Sequence, residues 1–159
     1  MNDTINHETV MGNTSPHSHT DWRIGKVLLN EYIIVDILGT GGMGKVFLVE
    51  PYRFSGSPLA VKTLKTSFTA DHQQKRLFMN ELRTWSDLPE HPFISSFRFF
   101  RTIEDRTAIF SEYVNGGSLD RWIHDGKLLA IDSILDVAIQ LAWGLYAAHE
   151  NGVIHQDVK

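Results

Sequence analysis

The chain has 159 residues, 42% of them hydrophobic and 21% charged, which is the make-up of an ordinary folded chain and the length of one domain. A net charge of −4 offers no basic footprint for nucleic acid, and the absence of cysteine excludes a disulfide framework and a thiolate metal site. The N-terminus has neither a basic n-region nor an apolar h-region, and no apolar run is long enough to cross a bilayer, so no membrane segment and a cytoplasmic location are expected.

Residues 1–21 are rich in Asn, Thr, Ser, His and Gly and are expected to form a disordered polar leader. His7, His17 and His19 fall inside it and are better read as solvated side chains than as metal ligands, so no metal site is assigned. Order is expected to begin between Trp22 and Leu29. Two strands follow, Glu31 to Thr40 and Lys45 to Glu50, and between them lies Leu38-Gly39-Thr40-Gly41-Gly42-Met43-Gly44-Lys45-Val46. Gly39, Gly41 and Gly44 make G-x-G-x-x-G, and Val46 extends it to G-x-G-x-x-G-x-V. A loop that covers phosphate needs glycine, because side chains would hold its amides away from the oxygens. The motif by itself fits either a dinucleotide fold or a phosphate-covering hairpin. A dinucleotide fold requires a helix after the glycines, whereas Val46-Phe47-Leu48-Val49 is β-branched and aromatic and predicts a strand. No Gly-Lys-Ser/Thr closes the loop, which removes the Walker pattern.

Pro51 and Phe54-Ser55-Gly56-Ser57-Pro58 predict a turn before the strand Leu59-Ala60-Val61-Lys62. Strand alternation puts Ala60 and Lys62 on one face and Val61 on the other, and turns Lys65 away. A lysine ending an apolar strand commonly reaches solvent; beside a phosphate loop it can neutralise phosphate, and Ala60 leaves room for a flat ring. Asp71 to Leu88 is predicted helical, with Leu77, Phe78, Leu82 and Trp85 on one face. Glu81 shares that face, where a buried carboxylate would need a cation, and Lys62 is the candidate. His91-Pro92 ends the helical region, and Phe93 to Arg101 with Arg106 to Val114 predicts a second hairpin. Asn115-Gly116-Gly117-Ser118 is a linker whose serine is placed to cap a helix through Arg121-Trp122-Ile123. Ile131 to His149 is the longest predicted helix, apolar on several faces as in a helix buried within a larger core. Val153-Ile154 is expected to be a short buried strand leading into His155-Gln156-Asp157-Val158-Lys159.

Taken in order, the glycine loop, the Ala-Val-Lys strand, the helix glutamate, His-Pro, Glu112-Tyr113-Val114-Asn115-Gly116-Gly117-Ser118-Leu119 and His-x-Asp-x-Lys resemble the protein kinase family from about Tyr32 to Lys159. The Gly-Gly-Met-Gly wording and the compact hinge resemble bacterial serine/threonine kinases. The resemblance implies an α+β fold: a small lobe of antiparallel sheet plus one helix over residues 22–114, then the hinge and the start of a helical large lobe over 115–159.

By the same resemblance the cofactor is ATP with magnesium. Leu38, Gly39, Thr40, Gly41, Gly42, Met43 and Gly44 cover the nucleotide, Val46 and Ala60 sandwich the adenine, and main-chain groups of Glu112 and Val114 meet its edge with Ser118 near the ribose. Lys62 contacts the phosphates and pairs with Glu81. Asp157 orients the substrate hydroxyl and accepts its proton, and Lys159 steadies the transferring phosphoryl group and favours serine or threonine over tyrosine. Gln156 replaces the arginine usual before this aspartate, so control through a phosphorylated activation loop is not expected. The family's magnesium ligands follow Lys159, so the chain is expected to be the N-terminal part of a kinase domain, inactive by itself. Two functions are carried forward: a protein serine/threonine kinase acting on a protein hydroxyl, and a nucleotide-binding or scaffolding module without catalysis.

Overall fold

Alternating apolar side chains generate a six-stranded sheet in which every neighbouring pair is antiparallel. The computed structural model describes residues 21–41, 44–64, 72–155 and 158, and only the backbone at positions 64, 72–75, 77, 78 and 81. The strands are β1 (Val27–Leu28), β2 (Tyr32–Gly41), β3 (Gly44–Pro51), β4 (Leu59–Leu64), β5 (Phe97–Ile103) and β6 (Arg106–Glu112), in the order β1-β2-β3-β4-β6-β5. The helices are α1 (His72–Ser86), between β4 and β5, then α2 (Leu119–His124) and α3 (Ile131–Glu150). This is the small lobe plus the beginning of the large lobe. A strand follows the glycines where a dinucleotide fold would have a helix.

Register explains where the core lies. Phe47 stands opposite Val61 and Val61 opposite Phe110, while Ile34 faces Val49 and Thr63 faces Ala108. All of these are buried on one side of the sheet, where Trp22 and Leu28 join them. The rings of Phe99 and Phe110 stack with centroids 4.4 Å apart, and Tyr32 packs on both at 6.2 and 5.5 Å. Burial of its ring pushes the Tyr32 hydroxyl above its ordinary pKa.

The chain from Asp21 to Leu28 straps this core. The Gly25 amide donates to the Ile34 carbonyl at 2.8 Å, and the Ile34 amide donates to Lys26 at 2.9 Å. Trp22 lies 5.7 Å from the Phe47 ring, and its indole N–H donates to Glu104 at 3.2 Å. Lys26 Nζ donates to both Glu104 oxygens at 2.5 and 2.7 Å. Glu104 and Asp105 form the tight turn between β5 and β6 with φ of 49° and 61°, a left-handed conformation that non-glycine residues adopt at a cost. The strap therefore grips a turn that its own residues disfavour.

α3 differs from expectation. Among its residues only Gly144 and Ala148 are buried, while Ile131, Leu135, Ile139, Trp143 and Tyr146 are exposed. Its contact is at one end, where Gly144 meets the loop before β5, and no described element covers the rest. The helix closes on Gly152 at φ 76°, where the Gly152 amide donates to His149 and the Val153 amide to Ala148, both at 2.9 Å. That use of the Val153 amide, and the absence of a partner among the described residues, explains why Val153-Ile154 is not the expected strand. Ile154 is 71% exposed.

Two carboxyls hold the strap. The Lys26 ammonium, helped by the Trp22 N–H and nearby Arg106, holds Glu104 below its ordinary value of 4.5 against the opposing effect of desolvation. Lys45, then Arg106, likewise holds Asp21 below 3.8. Folded values below unfolded ones mean that this stabilisation is complete above about pH 4.5 and is lost as pH falls through the folded values. The Trp22 indole N–H resonance, followed by NMR as the pH is lowered from about 6, should shift as Glu104 is protonated and this hydrogen bond weakens. In Glu104→Gln the acid-dependent step should shrink.

Candidate functional site

Strand parity assembles one exposed sheet face. On β3, Leu48 stands opposite Ala60 and Val46 opposite Lys62; on β6, Ser111 stands opposite Ala60 and Ile109 opposite Lys62. Val46, Leu48, Ala60 and Ser111 are half-buried, Ile109 is buried, and Lys62 is exposed. The result is an apolar floor with a single-carbon side chain near its middle and an ammonium at one end. Beside it rises the glycine hairpin: Gly39 pairs with Val46, Thr40 with Lys45 and Gly41 with Gly44. A Cβ added at Gly39 or Gly41 would meet nothing within 4 Å, so these two positions present open backbone. Leu38, at the start of this stretch, is exposed.

β6 runs out into the linker at the edge of this floor. The Glu112 amide is committed to the Ser96 carbonyl at 2.9 Å, and the Glu112 carbonyl accepts from the Ser95 hydroxyl at a long 3.3 Å. A carbonyl has two lone pairs, so it keeps capacity for a second donor. Val114 follows and is 60% exposed. Ser118 caps α2 by accepting from the Arg121 amide at 3.2 Å, as its position predicts, and the Trp122 indole donates to Gly116 at 2.7 Å to fold the linker back. A groove of about 820 Å³ lies behind this hinge. Tyr32, Leu59 and Phe99 line it from the core side of the sheet, and Glu112 and Val114 line it at the hinge, whereas Ala60 and Lys62 do not border it.

α1 is anchored on β5. The Trp85 indole donates to the Ser95 carbonyl at 3.2 Å, its ring lies 5.5 Å from Phe97, and Leu82 is buried. Glu81 falls in this helix, but its side chain lies outside the description, as do Gly42, Met43, Lys65, Gln156, Asp157 and Lys159. The expected pairing of Lys62 with Glu81 and the roles of Asp157 and Lys159 therefore rest on the sequence. Among the described residues, no group of three or more His, Asp or Glu is arranged to hold a metal ion. Leu48 was not singled out in the sequence, although counting two residues on from Val46 places it on this face.

Residues 32–159 match the protein kinase domain. The chain belongs to this family. It is 34% identical over 142 residues to the serine/threonine-protein kinase PknA of Mycobacterium tuberculosis, a match covering 86% of this chain and 32% of that protein. It is 31% identical over 136 residues to the serine/threonine-protein kinase PrkC of Bacillus subtilis, covering 86% of this chain and 21% of that protein. The crystal structure of the Mycobacterium tuberculosis PknI kinase domain matches with a TM-score of 0.70 at 27% identity, over 87% of this chain and 56% of that one. The relatives place the domain among those of bacterial serine/threonine kinases, and the chain spans only part of each.

Membership also bears on α3. By length and a mean hydropathy of 1.2 this helix is apolar enough to cross a membrane, contrary to the reading of the sequence. It lies within the stretch matched by the kinase domain. Its contact with the small lobe is close: a Cβ at Gly144 would sit 2.8 Å from the Phe93 carbonyl oxygen, and Trp143 packs 6.2 Å from the Phe93 ring. Glycine costs about 1 kcal/mol of helix propensity relative to alanine, so the close approach must outweigh that cost. Gly144→Val should lower stability by about 1–3 kcal/mol through overpacking. Denaturant unfolding checks the magnitude, and faster amide exchange at the C-terminal end of α3 should accompany it.

Proposed function

We propose that this kinase domain binds ATP and belongs to an enzyme that phosphorylates serine or threonine in proteins. The observation that supports this reading best is the single face on which Val46, Leu48, Ala60 and Lys62 stand beside a glycine hairpin. ATP fits the chemistry of that face. A flat purine can lie on half-buried apolar side chains with only a methyl group at Ala60, and an exposed ammonium at Lys62 suits phosphate. Val46 and Ala60 would hold the adenine, with main-chain groups of Glu112 and Val114 at its edge and Ser118 near the ribose. The stretch from Leu38 to Gly44 would cover the phosphates.

Bound nucleotide supplies the phosphoryl group, and the protein contributes position and charge. Lys62, held by Glu81, would orient the phosphates. Asp157 would hold the substrate hydroxyl and take its proton, and Lys159 would offset the negative charge spread over the transferring group. Magnesium would accompany the nucleotide through ligands that the resemblance places after Lys159. Nucleotide binding is therefore assigned to the 159-residue chain, and phosphoryl transfer to a domain containing those ligands. With Gln156 in place of arginine, activity independent of activation-loop phosphorylation is part of the same reading.

Calorimetric titration of the 159-residue chain with Mg-ATP should give saturable binding. Lys62→Met should weaken it by about tenfold to a hundredfold, the worth of a charge-assisted contact. Equal affinity of the two forms would remove Lys62 from the site, and no binding at all would overturn the ATP reading. In a complete domain, Asp157→Asn should abolish turnover and keep ATP affinity. A module used only for nucleotide binding would show no turnover before the change either.

A further inference from the structure

The kinase match begins at Tyr32, yet residues before it contact Lys45 and Phe47, directly after the glycine hairpin. Trp22 is 1% exposed and rests on Phe47. Asp21 bridges Lys45 at 2.6 Å and Arg106 at 3.5 Å, joining β3 to β6. Lys45, Val46 and Phe47 are consecutive in β3, so the strap touches the first and third from the core side while the second faces the candidate nucleotide floor. The Thr63 hydroxyl donates to the Lys45 carbonyl at 3.3 Å, adding a tie from β4 at the same point.

The hairpin needs such a hold. Gly39 and Gly41 have no side chains, and a Cβ at either would touch nothing within 4 Å, so these two positions contribute no packing of their own. The position of its backbone amides depends on the roots of β2 and β3. β2 is itself tied to the strap by the Gly25 and Lys26 backbone bonds to Ile34. We propose that the segment Asp21 to Leu28 sets the position of the glycine hairpin, with Trp22 as its principal positioning residue and Asp21 as a second. The consequence for nucleotide affinity rests on the ATP reading above; the positioning itself does not.

The test uses the 159-residue chain and three variants, Trp22→Ala, Trp22→Phe and Asp21→Asn. Amide hydrogen exchange is read at Val46 to Leu48 in β3 and at Ala108 to Phe110 in β6, with the Mg-ATP dissociation constant measured in parallel. Trp22→Ala should speed exchange at Val46 to Leu48 by about tenfold while changing Ala108 to Phe110 much less. It should weaken Mg-ATP by about fivefold or more, because misplacing a binding backbone by an ångström is costly. Trp22→Phe should recover most of both effects, since an aromatic ring again covers Phe47. Asp21→Asn removes an exposed contact without opening the core, so it remains informative if Trp22→Ala fails to fold. It should produce the same local pattern at smaller size. Equal acceleration in β3 and β6, or no acceleration in β3 with Asp21→Asn, would overturn the positioning role. Local loosening with unchanged ATP affinity would overturn its link to the nucleotide. If the unaltered chain does not bind ATP, the exchange pattern alone decides the positioning claim.

Discussion

The constraint on which the structure depends is the two-residue alternation of β3, β4 and β6. Phe47, Val61 and Phe110 meet across three adjacent strands and are buried, and each such large side chain contributes roughly 1.5–3 kcal/mol on leaving water. Once they are fixed on one side, Val46, Ala60, Lys62 and Ser111 have no choice but the other. A slip of one residue in β4 would put Lys62 into the core and Val61 outside. The apolar core thus specifies the candidate site without taking part in it.

The two faces are finished by different means. The core side is sealed by the strap, through one indole ring, a short strand and two carboxylates that pair with Lys26, Lys45 and Arg106. Exposed ion pairs of this kind contribute little singly, so Trp22 carries most of the attachment and the charges set its register. The opposite side stays open over Val46 and Ala60, bounded by glycine backbone and by the linker after Glu112. Sealing one side and leaving the other open is what gives the sheet its candidate site.

The long helix shows how little contact can join the two parts of the chain. α3 meets the small lobe where Gly144 admits the Phe93 backbone, while Ile131, Leu135, Ile139 and Tyr146 are exposed. The solved kinase domain it resembles is nearly twice the matched length, since the match covers 56% of it. Apolar periodicity in α3 predicts a helix, because that depends on the segment alone. It does not state which face is covered, because that depends on neighbours.

Much of this protein was legible in its residues. Spacing of Gly39, Gly41 and Gly44 before a β-branched run implied a hairpin, strand alternation implied that Lys62 shares a face with Ala60 and not with Val61, and Ser118 implied a helix cap. All are consequences of local geometry, and the order of motifs implied the family. Tertiary structure decided what local geometry does not contain. Trp22 reads as an isolated aromatic until Phe47 and Glu104, far along the chain, come together to receive it. Gly144 reads as a weak point in a helix until the Phe93 carbonyl occupies the space of its missing side chain. Val153 reads as a strand until closure of α3 claims its amide. Periodicity reports which side of an element is apolar, and only long-range contact reports what lies against it.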